Sequence, residues 1–136
     1  MSNSRVMFVS AMSLILGLQS GQIKSIDSRM QSLSVRHAIE MEAQSASKAG
    51  IASALGSLRR SDRANTVAAN LTHGKFQYTI TKYYTWSGTL QARIVSTGEQ
   101  KGVQYQTVAI AEGGGRRHNR WHIVSIYTAP ISSSSL

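Results

Sequence analysis

"VMFVSAMSLILGLQSGQIKSIDSRMQSLSVRHAIEMEAQSASKAGIASALGSLRR", residues 6–60, begins apolar, becomes amphipathic and contains no proline. An average helix in a globular protein has about 11–12 residues, so this stretch is several times longer. At about 1.5 Å per residue, one helix of this length measures roughly 85 Å. A compact domain built from a chain of 136 residues is much smaller. The sequence therefore predicts a long N-terminal helix that protrudes from its domain and finds partners elsewhere.

The first part of this stretch, residues 6–18, is the most apolar. As a helix it covers about 20 Å, which is less than the roughly 30 Å of a bilayer core. Its length is typical of the apolar region of a signal peptide, but the helical pattern continues smoothly beyond it, and only Arg5 precedes it as a basic flank. We interpret it as a retained helix end, either held marginally in a membrane or buried among copies of itself.

An apolar stripe continues through the middle of the stretch. Ile23, Ile26, Met30 and Leu33 recur at intervals of three and four residues, as on one face of a helix. Such a stripe can pack against another helix. The residues predicted to form a polymerisation core are Val6, Met7, Phe8, Val9, Met12, Leu14, Ile15, Leu16, Leu18, Ile23, Ile26, Met30 and Leu33.

The end of the stretch carries small residues. Ala46, Gly50 and Ala54 are spaced four apart and form a strip that allows close approach of another backbone. Small residues disfavour an isolated coiled-coil dimer, whose seam prefers large side chains. We expect this part to pack on a helix or on a sheet of the same chain. The residues predicted to pack the helix on a sheet are Ala46, Gly50, Ile51, Ala54, Leu55 and Leu58.

The second half of the chain alternates apolar and polar residues. The runs FQYTITKYYTW, TLQARIVS, VQYQTVAIA and WHIVSIYT are joined by glycine-containing segments, one of which, TGEQKG, is predicted to be a turn. This pattern predicts a four-stranded antiparallel meander. One face of such a sheet needs a cover, and the small-residue end of the helix can supply it.

The predicted fold class is therefore α+β, with a long protruding helix whose C-terminal half packs on a four-stranded antiparallel sheet. The predicted divisions are a helix over 1–60, a linking loop over 61–74, a sheet head over 75–129 and a serine-rich tail over 130–136. Residues 1–22 form the hydrophobic assembly or membrane segment of the helix.

No catalytic arrangement is evident in the sequence. The absence of cysteine excludes disulfides and thiol chemistry. His118 and His122 are four apart, but the second begins a predicted strand, so helical metal-ligand spacing does not apply. Glu40 and Glu42 point to different sides of a helix. We expect no enzyme, no cofactor and no metal site.

A net charge of +9 suggests attraction to nucleic acid or other anionic surfaces. Arg116, Arg117, Arg120 and Trp121 place cations beside an aromatic ring in a glycine-rich loop, a combination that can bind phosphates and stack a base. The alternatives are a solvated hairpin tip or a contact with the next subunit. Three further aromatic residues are expected to be core or subunit-contact residues: Tyr83, Tyr84 and Trp86.

Three residues are candidates for glycosylation. Asn70 begins the triplet Asn-Leu-Thr, which matches the acceptor pattern for N-linked glycans. Ser132 and Ser133 lie in the serine-rich tail, where O-linked glycans are an option.

The order of these elements resembles type IV pilins and related pilin-like proteins. The run VRHAIEMEAQSASKAGIASALGSLRR, residues 35–60, resembles the alanine-rich helix of the minor pilin-like members, and ARIVSTGEQKGVQYQTVAI, residues 92–110, resembles their sheets. Two features depart from the family. The first acidic residue is Asp27 rather than a glutamate near the start of the helix, and the usual processing site is absent. Docking of a glutamate on a neighbouring terminal amine is therefore not implied.

The resemblance implies a secreted structural protein of a fimbrium, a subunit of an extracellular type IV pilus-like filament used in cell adhesion. It would form a helical homopolymer through its hydrophobic helix, stay in the cytoplasmic membrane before assembly, and depend on pilus assembly machinery there. The alternatives are a minor or tip pilin, or a secretion pseudopilin, that primes assembly or binds a ligand such as DNA. A membrane-anchored binding module is a third option.

Overall fold

A computed structural model describes residues 2–61, 65–113 and 120–132, and within these the side chains from Ser28 onward. The chain divides into two compact units, Met1–His37 and Ala38–Leu136. We refer to the second as the sheet unit. The elements in chain order are α1 Ser2–Arg60, β1 Thr66–Leu71, β2 Gly74–Tyr84, β3 Leu90–Gln100, β4 Val103–Gly113 and β5 Trp121–Pro130.

The predicted four-stranded, pilin-like α+β fold is wrong. The sheet has five antiparallel strands in the order β1-β2-β3-β4-β5, and β1 lies within the residues predicted to form a linking loop, 61–74. Leu71 pairs with Gly74, whose φ of +106° closes a tight turn. The sheet therefore spans 66–130 instead of 75–129. The small side chains of β1 concealed its alternation, in which only Val67 and Ala69 are half-buried.

The long apolar protruding helix of the prediction is likewise not found among the described side chains. Residues 28–38 of α1 are all exposed, and from Ile39 onward covered and exposed positions alternate at helical spacing. Where side chains are described, no helix is both long enough and apolar enough to span a bilayer. The apolar side chains of residues 6–26, on which the prediction rested, lie outside the described ones.

The strands pair in a register that gives the sheet two different faces. Phe76 pairs with Gly98 and Ile80 pairs with Ile94, so these residues share the face that α1 covers. Since side chains alternate along a strand, the residues between them, such as Gln77, point to the open face and are exposed. The pairing of β4 with β5 shifts between Ile110 and Ala111, which marks a β-bulge.

The core lies between residues 38–60 of α1 and the covered face of the sheet. Ile51, Ala54 and Leu58 contact the inward residues of β2, β3 and β4, and Leu55 packs at the margin. The structure thus places the predicted helix–sheet residues in this contact. The buried cluster comprises Ile51, Ala54, Leu58, Phe76, Tyr78, Ile80, Ala92, Ile94, Ala109, Ala111 and Trp121.

The helix approaches the sheet very closely at two glycines. Gly50 of α1 lies over Ser96 of β3, and Gly98 of β3 lies under the backbone of α1 near Ala46. A chain of hydroxyl groups runs beside this contact, with Ser47 Oγ 2.7 Å from Thr107 Oγ1 and Thr107 Oγ1 2.9 Å from Thr128 Oγ1. These bonds satisfy buried hydroxyls that a close helix–sheet contact would otherwise leave without water.

Ser96 differs from its neighbours because its buried Oγ has no hydrogen-bond partner among the described residues. A buried unpaired hydroxyl costs about 1–3 kcal/mol. We expect Ser96→Ala to raise the free energy of unfolding by about 1 kcal/mol, as measured by urea denaturation. The matched control is Ser47→Ala, which removes a partnered hydroxyl and should lower stability instead. A loss of stability in Ser96→Ala would show that this hydroxyl is paired in solution.

Candidate functional site

The described part of the predicted polymerisation core lies on an exposed segment of α1. Met30 and Leu33 each expose 65% of their surface, and Val35 exposes 56%. Met30 and Leu33 are three apart and so lie on one side of the helix; we call this pair the helix stripe. The remaining predicted core residues, from Val6 to Ile26, precede the described side chains.

The serines of this segment direct their hydroxyl groups back to the helix. Ser32 Oγ donates to the carbonyl oxygen of Arg29 at 2.8 Å, and Ser34 Oγ donates to that of Gln31 at 3.4 Å. A hydroxyl bonded in this way has its donor satisfied within its own helix. These serines therefore do not prevent the surrounding surface from being buried against an apolar partner.

The predicted anion patch lies only partly within the described residues. Arg116 and Arg117 lie outside the described residues, and Arg120 is exposed. Trp121 is only 5% exposed and belongs to the core, and its carbonyl oxygen accepts a bond of 3.2 Å from Nη2 of Arg59. The prediction that its ring can stack a base is wrong. Trp121 is the first residue of β5 and is buried, whereas most of that strand is exposed. The residues of β5 do not alternate regularly between apolar and polar, so the local pattern does not indicate this burial.

The three aromatics near the turn between β2 and β3 are not core residues. Tyr83 exposes 38% of its surface, Tyr84 73% and Trp86 all of it. Of the two roles expected for them, a place in the core is wrong, and contact with another subunit stays a prediction. They stand where β2 turns into β3, and Tyr83 OH donates to Gln91 Oε1 at 3.0 Å.

Two of the three predicted glycosylation residues lie in the described part of the chain. Asn70 lies on β1 and is exposed, and Ser132 is exposed beyond β5. Ser133 lies outside the described residues. Exposure makes the first two accessible to an enzyme, while use of either one stays a prediction.

A polar cluster lies on the open face near the start of β2. Gln104 Nε2 donates to Glu99 Oε2 at 3.0 Å, and Lys75 Nζ lies 3.3 Å from Glu99 Oε1. The hydrogen bond from Gln104, followed by the one from Lys75, lowers the pKa of the Glu99 carboxyl. The carboxylate therefore stays ionised at neutral pH. Within the described residues, no three His, Asp or Glu side chains form a group that could hold a metal ion.

No protein-family model matches the chain, and no curated protein or solved structure does so either. The sequence motifs are therefore the whole basis of the resemblance to type IV pilins.

Proposed function

We propose that this chain is a structural subunit of an extracellular type IV pilus-like filament and polymerises through the N-terminal part of α1. The observation that carries the proposal is the helix stripe, Met30 and Leu33, whose apolar side chains are exposed on α1. Residues 38–60 suffice to cover the sheet within the sheet unit. The described side chains of residues 28–37 are exposed and take no part in that cover.

The energetics of the apolar sequence support this role. Residues 6–18 are rich in large apolar side chains, and burying each of them contributes roughly 1.5–3 kcal/mol before ordering and association costs. A helical polymer uses such a surface on every copy, because head-to-tail contacts that do not close into a ring generate filaments. The same segment would hold the subunit in the cytoplasmic membrane until assembly machinery extracts it.

The helix stripe gives a direct test of the proposal. We expect the double substitution Met30→Glu and Leu33→Glu to reduce filament yield at least tenfold, since an unpaired charge buried in an interface costs about 3–5 kcal/mol. Filaments sheared from the producing cells would be counted by negative-stain electron microscopy, with the chain quantified by mass spectrometry. Because both side chains are exposed, the melting temperature of the sheet unit should not change.

The matched control is Gln31→Glu, which adds a charge on the same exposed segment but off the stripe. It should leave the filament yield unchanged. Normal filaments from the double variant, or equal losses in both variants, would contradict assembly through the stripe. A chain that is rare in filaments made of another protein would identify a minor or tip subunit instead of the main one.

A further inference from the structure

The turn between β2 and β3 presents an unusual aromatic surface, which we call the aromatic tip and define as Tyr83, Tyr84 and Trp86. Trp86 is wholly exposed, at 108% of its reference area, and Tyr84 is largely so. Tryptophan is a large side chain that folded proteins usually bury in good part. A wholly exposed tryptophan with an exposed tyrosine beside it is therefore a candidate binding surface.

The turn that carries Trp86 is closed by several internal hydrogen bonds. Thr85 N donates to Thr89 O and Gly88 N donates to Thr85 O, both at 2.9 Å. Thr85 Oγ1 accepts from Thr89 N at 3.1 Å and lies 2.8 Å from Ser87 Oγ. Gly88 supplies the positive φ, +81°, that the turn needs. A surface fixed before binding loses little conformational entropy when it binds.

Basic side chains accompany the aromatic tip at this end of the sheet. Lys82 and Arg93 are exposed on the neighbouring strands just behind the turn, and Arg120 is exposed where β5 begins. Adjacent strands lie about 4.8 Å apart, so the four strands from β2 to β5 span only about 15 Å. Among the described residues, one carboxylate, that of Glu112, also lies here, and its Oε2 is 3.5 Å from Gln91 Nε2. The surroundings of the tip are therefore positively charged, which favours an anionic partner.

We propose that the aromatic tip docks the sheet unit end-on onto an anionic lipid bilayer. Trp86 and Tyr84 would enter the headgroup region, where the amphipathic rings of tryptophan and tyrosine are favoured. Lys82, Arg93 and Arg120 would contact lipid phosphates and the negative surface. This interaction goes beyond filament assembly and does not depend on it.

The geometry favours a membrane over a single-stranded nucleic acid. Lys82 lies on the same face of the sheet as the inward residues of β2, whereas Arg93 lies on the open face. Cations on both sides of a projecting turn match a planar surface that the turn enters end-on. A nucleic acid strand needs cations aligned along one groove, with rings that bases can cover. Trp86 projects from a turn, and Trp121 is buried.

Tryptophan fluorescence tests the proposal on the full-length chain, which has two tryptophans. Because Trp121 is buried and Trp86 exposed, a change of environment at the tip reports from Trp86. The protein would be mixed with vesicles of phosphatidylcholine alone or with phosphatidylglycerol added. We expect a blue shift and protection from acrylamide only with the anionic vesicles. The effect should disappear near 1 M salt, where the Debye length falls to about 3 Å. In Trp86→Phe the spectrum should not respond.

Charge-removing variants then test the cations. Lys82→Gln and Arg93→Gln should each raise the anionic-vesicle concentration needed for half of the shift by about fivefold. Lys48→Gln, which removes an exposed charge from α1, is the matched control and should leave that concentration unchanged.

Three results would overturn the proposal. The first is an unchanged Trp86 spectrum although the protein sediments with anionic vesicles, because the chain would then bind through another part. The second is an equal shift on adding a single-stranded oligonucleotide without lipid, which would assign the tip to nucleic acid. The third is a shift that follows protein concentration in the absence of vesicles, which would assign it to a second copy of the chain.

Discussion

Replacing Gly98 with alanine is expected to destabilise the sheet unit by about 3 kcal/mol or more, the upper range for overpacking a core. A Cβ atom built at Gly98 falls on the backbone N of Ser47 and the backbone O of Ala43, and lies 2.9 Å from the carbonyl C of Ala46. All three are backbone atoms of α1 and cannot rotate away as a side chain can. The helix must lift from the sheet, which exposes core surface and strains the bond between Ser47 and Thr107.

Urea denaturation followed by circular dichroism measures this loss. Gly113→Ala is the matched control, since it also changes a glycine in a strand, but its nearest atoms belong to the Trp121 ring at 3.3 Å or more. A ring can shift by a few tenths of an ångström, so we expect a much smaller loss there. Equal stability losses in the two variants would show that α1 does not approach Gly98 this closely in solution.

Two glycines of the same helix should respond to alanine in opposite directions. At Gly50 a new Cβ falls on Ser96 Oγ and lies 3.1 Å from both Ser96 Cβ and Phe76 Cδ2. At Gly56 the nearest atom is Nη1 of Arg60, at 3.4 Å on a flexible side chain. Alanine gains about 0.8–1.0 kcal/mol over glycine in a helix. Gly56→Ala should therefore stabilise by up to that amount, while overpacking at Gly50 outweighs it and leaves a net loss of about 1–2 kcal/mol.

The same denaturation measurement decides the sign for each variant. A double variant, Gly50→Ala with Ser96→Ala, adds a test of the cause. Removing the Ser96 hydroxyl takes away the closest atom, so the two substitutions should be coupled, with the pair more stable than the sum of the two single effects predicts. A contact between Gly50 and Ser96 would be contradicted if Gly50→Ala stabilised the protein as Gly56→Ala does. It would also be contradicted if the effects of Gly50→Ala and Ser96→Ala were strictly additive.

The close approach of α1 to the sheet was predictable from the helix sequence, but the strand residue that it contacts was not. The spacing of Ala46, Gly50 and Ala54 indicates a close backbone approach, because small residues at helical intervals leave room on one face. The partner of that face was not predictable in the same way. Gly98 stands in the run TGEQKG, which was predicted to be a turn, whereas β3 continues to Gln100. Gly98 is needed because the backbone of α1 leaves no room for a side chain there. The residues around Gly98 in the sequence do not indicate this contact, because it is made with a distant part of the chain.

Strand β1, which the sequence analysis predicted to be a loop, was missed for a local reason. In β1 the inward positions carry Val67 and Ala69, and the strand is an edge strand that α1 covers only in part. Because its inward side chains are only partly buried, they need not be much more apolar than the outward ones. A strand of this kind therefore resembles a polar loop in its sequence, although its backbone pairs fully with β2.

The prediction that residues of the aromatic tip could belong to the core was wrong, because the burial of a strand residue depends on where the covering helix ends. Alternation correctly groups Phe76, Tyr78 and Ile80 on one face, and Tyr84 continues the same alternation. However, α1 ends at Arg60, and Tyr84 at the end of β2 is left exposed. The sequence of β2 alone does not indicate how far along the strand α1 extends.

The order of the strands bears on how the sheet unit folds. Each strand pairs with the next one in the chain, so the sheet forms by closing short loops. Docking of α1 instead joins residues such as Ser47 and Thr107, which are 60 positions apart, and closing a longer loop costs more chain entropy. The sheet should form first and the helix dock late. Interactions absent from the folding transition state act mainly on the unfolding rate. The close contact at Gly50 and Gly98 therefore governs how long the folded unit lasts, more than how quickly it forms.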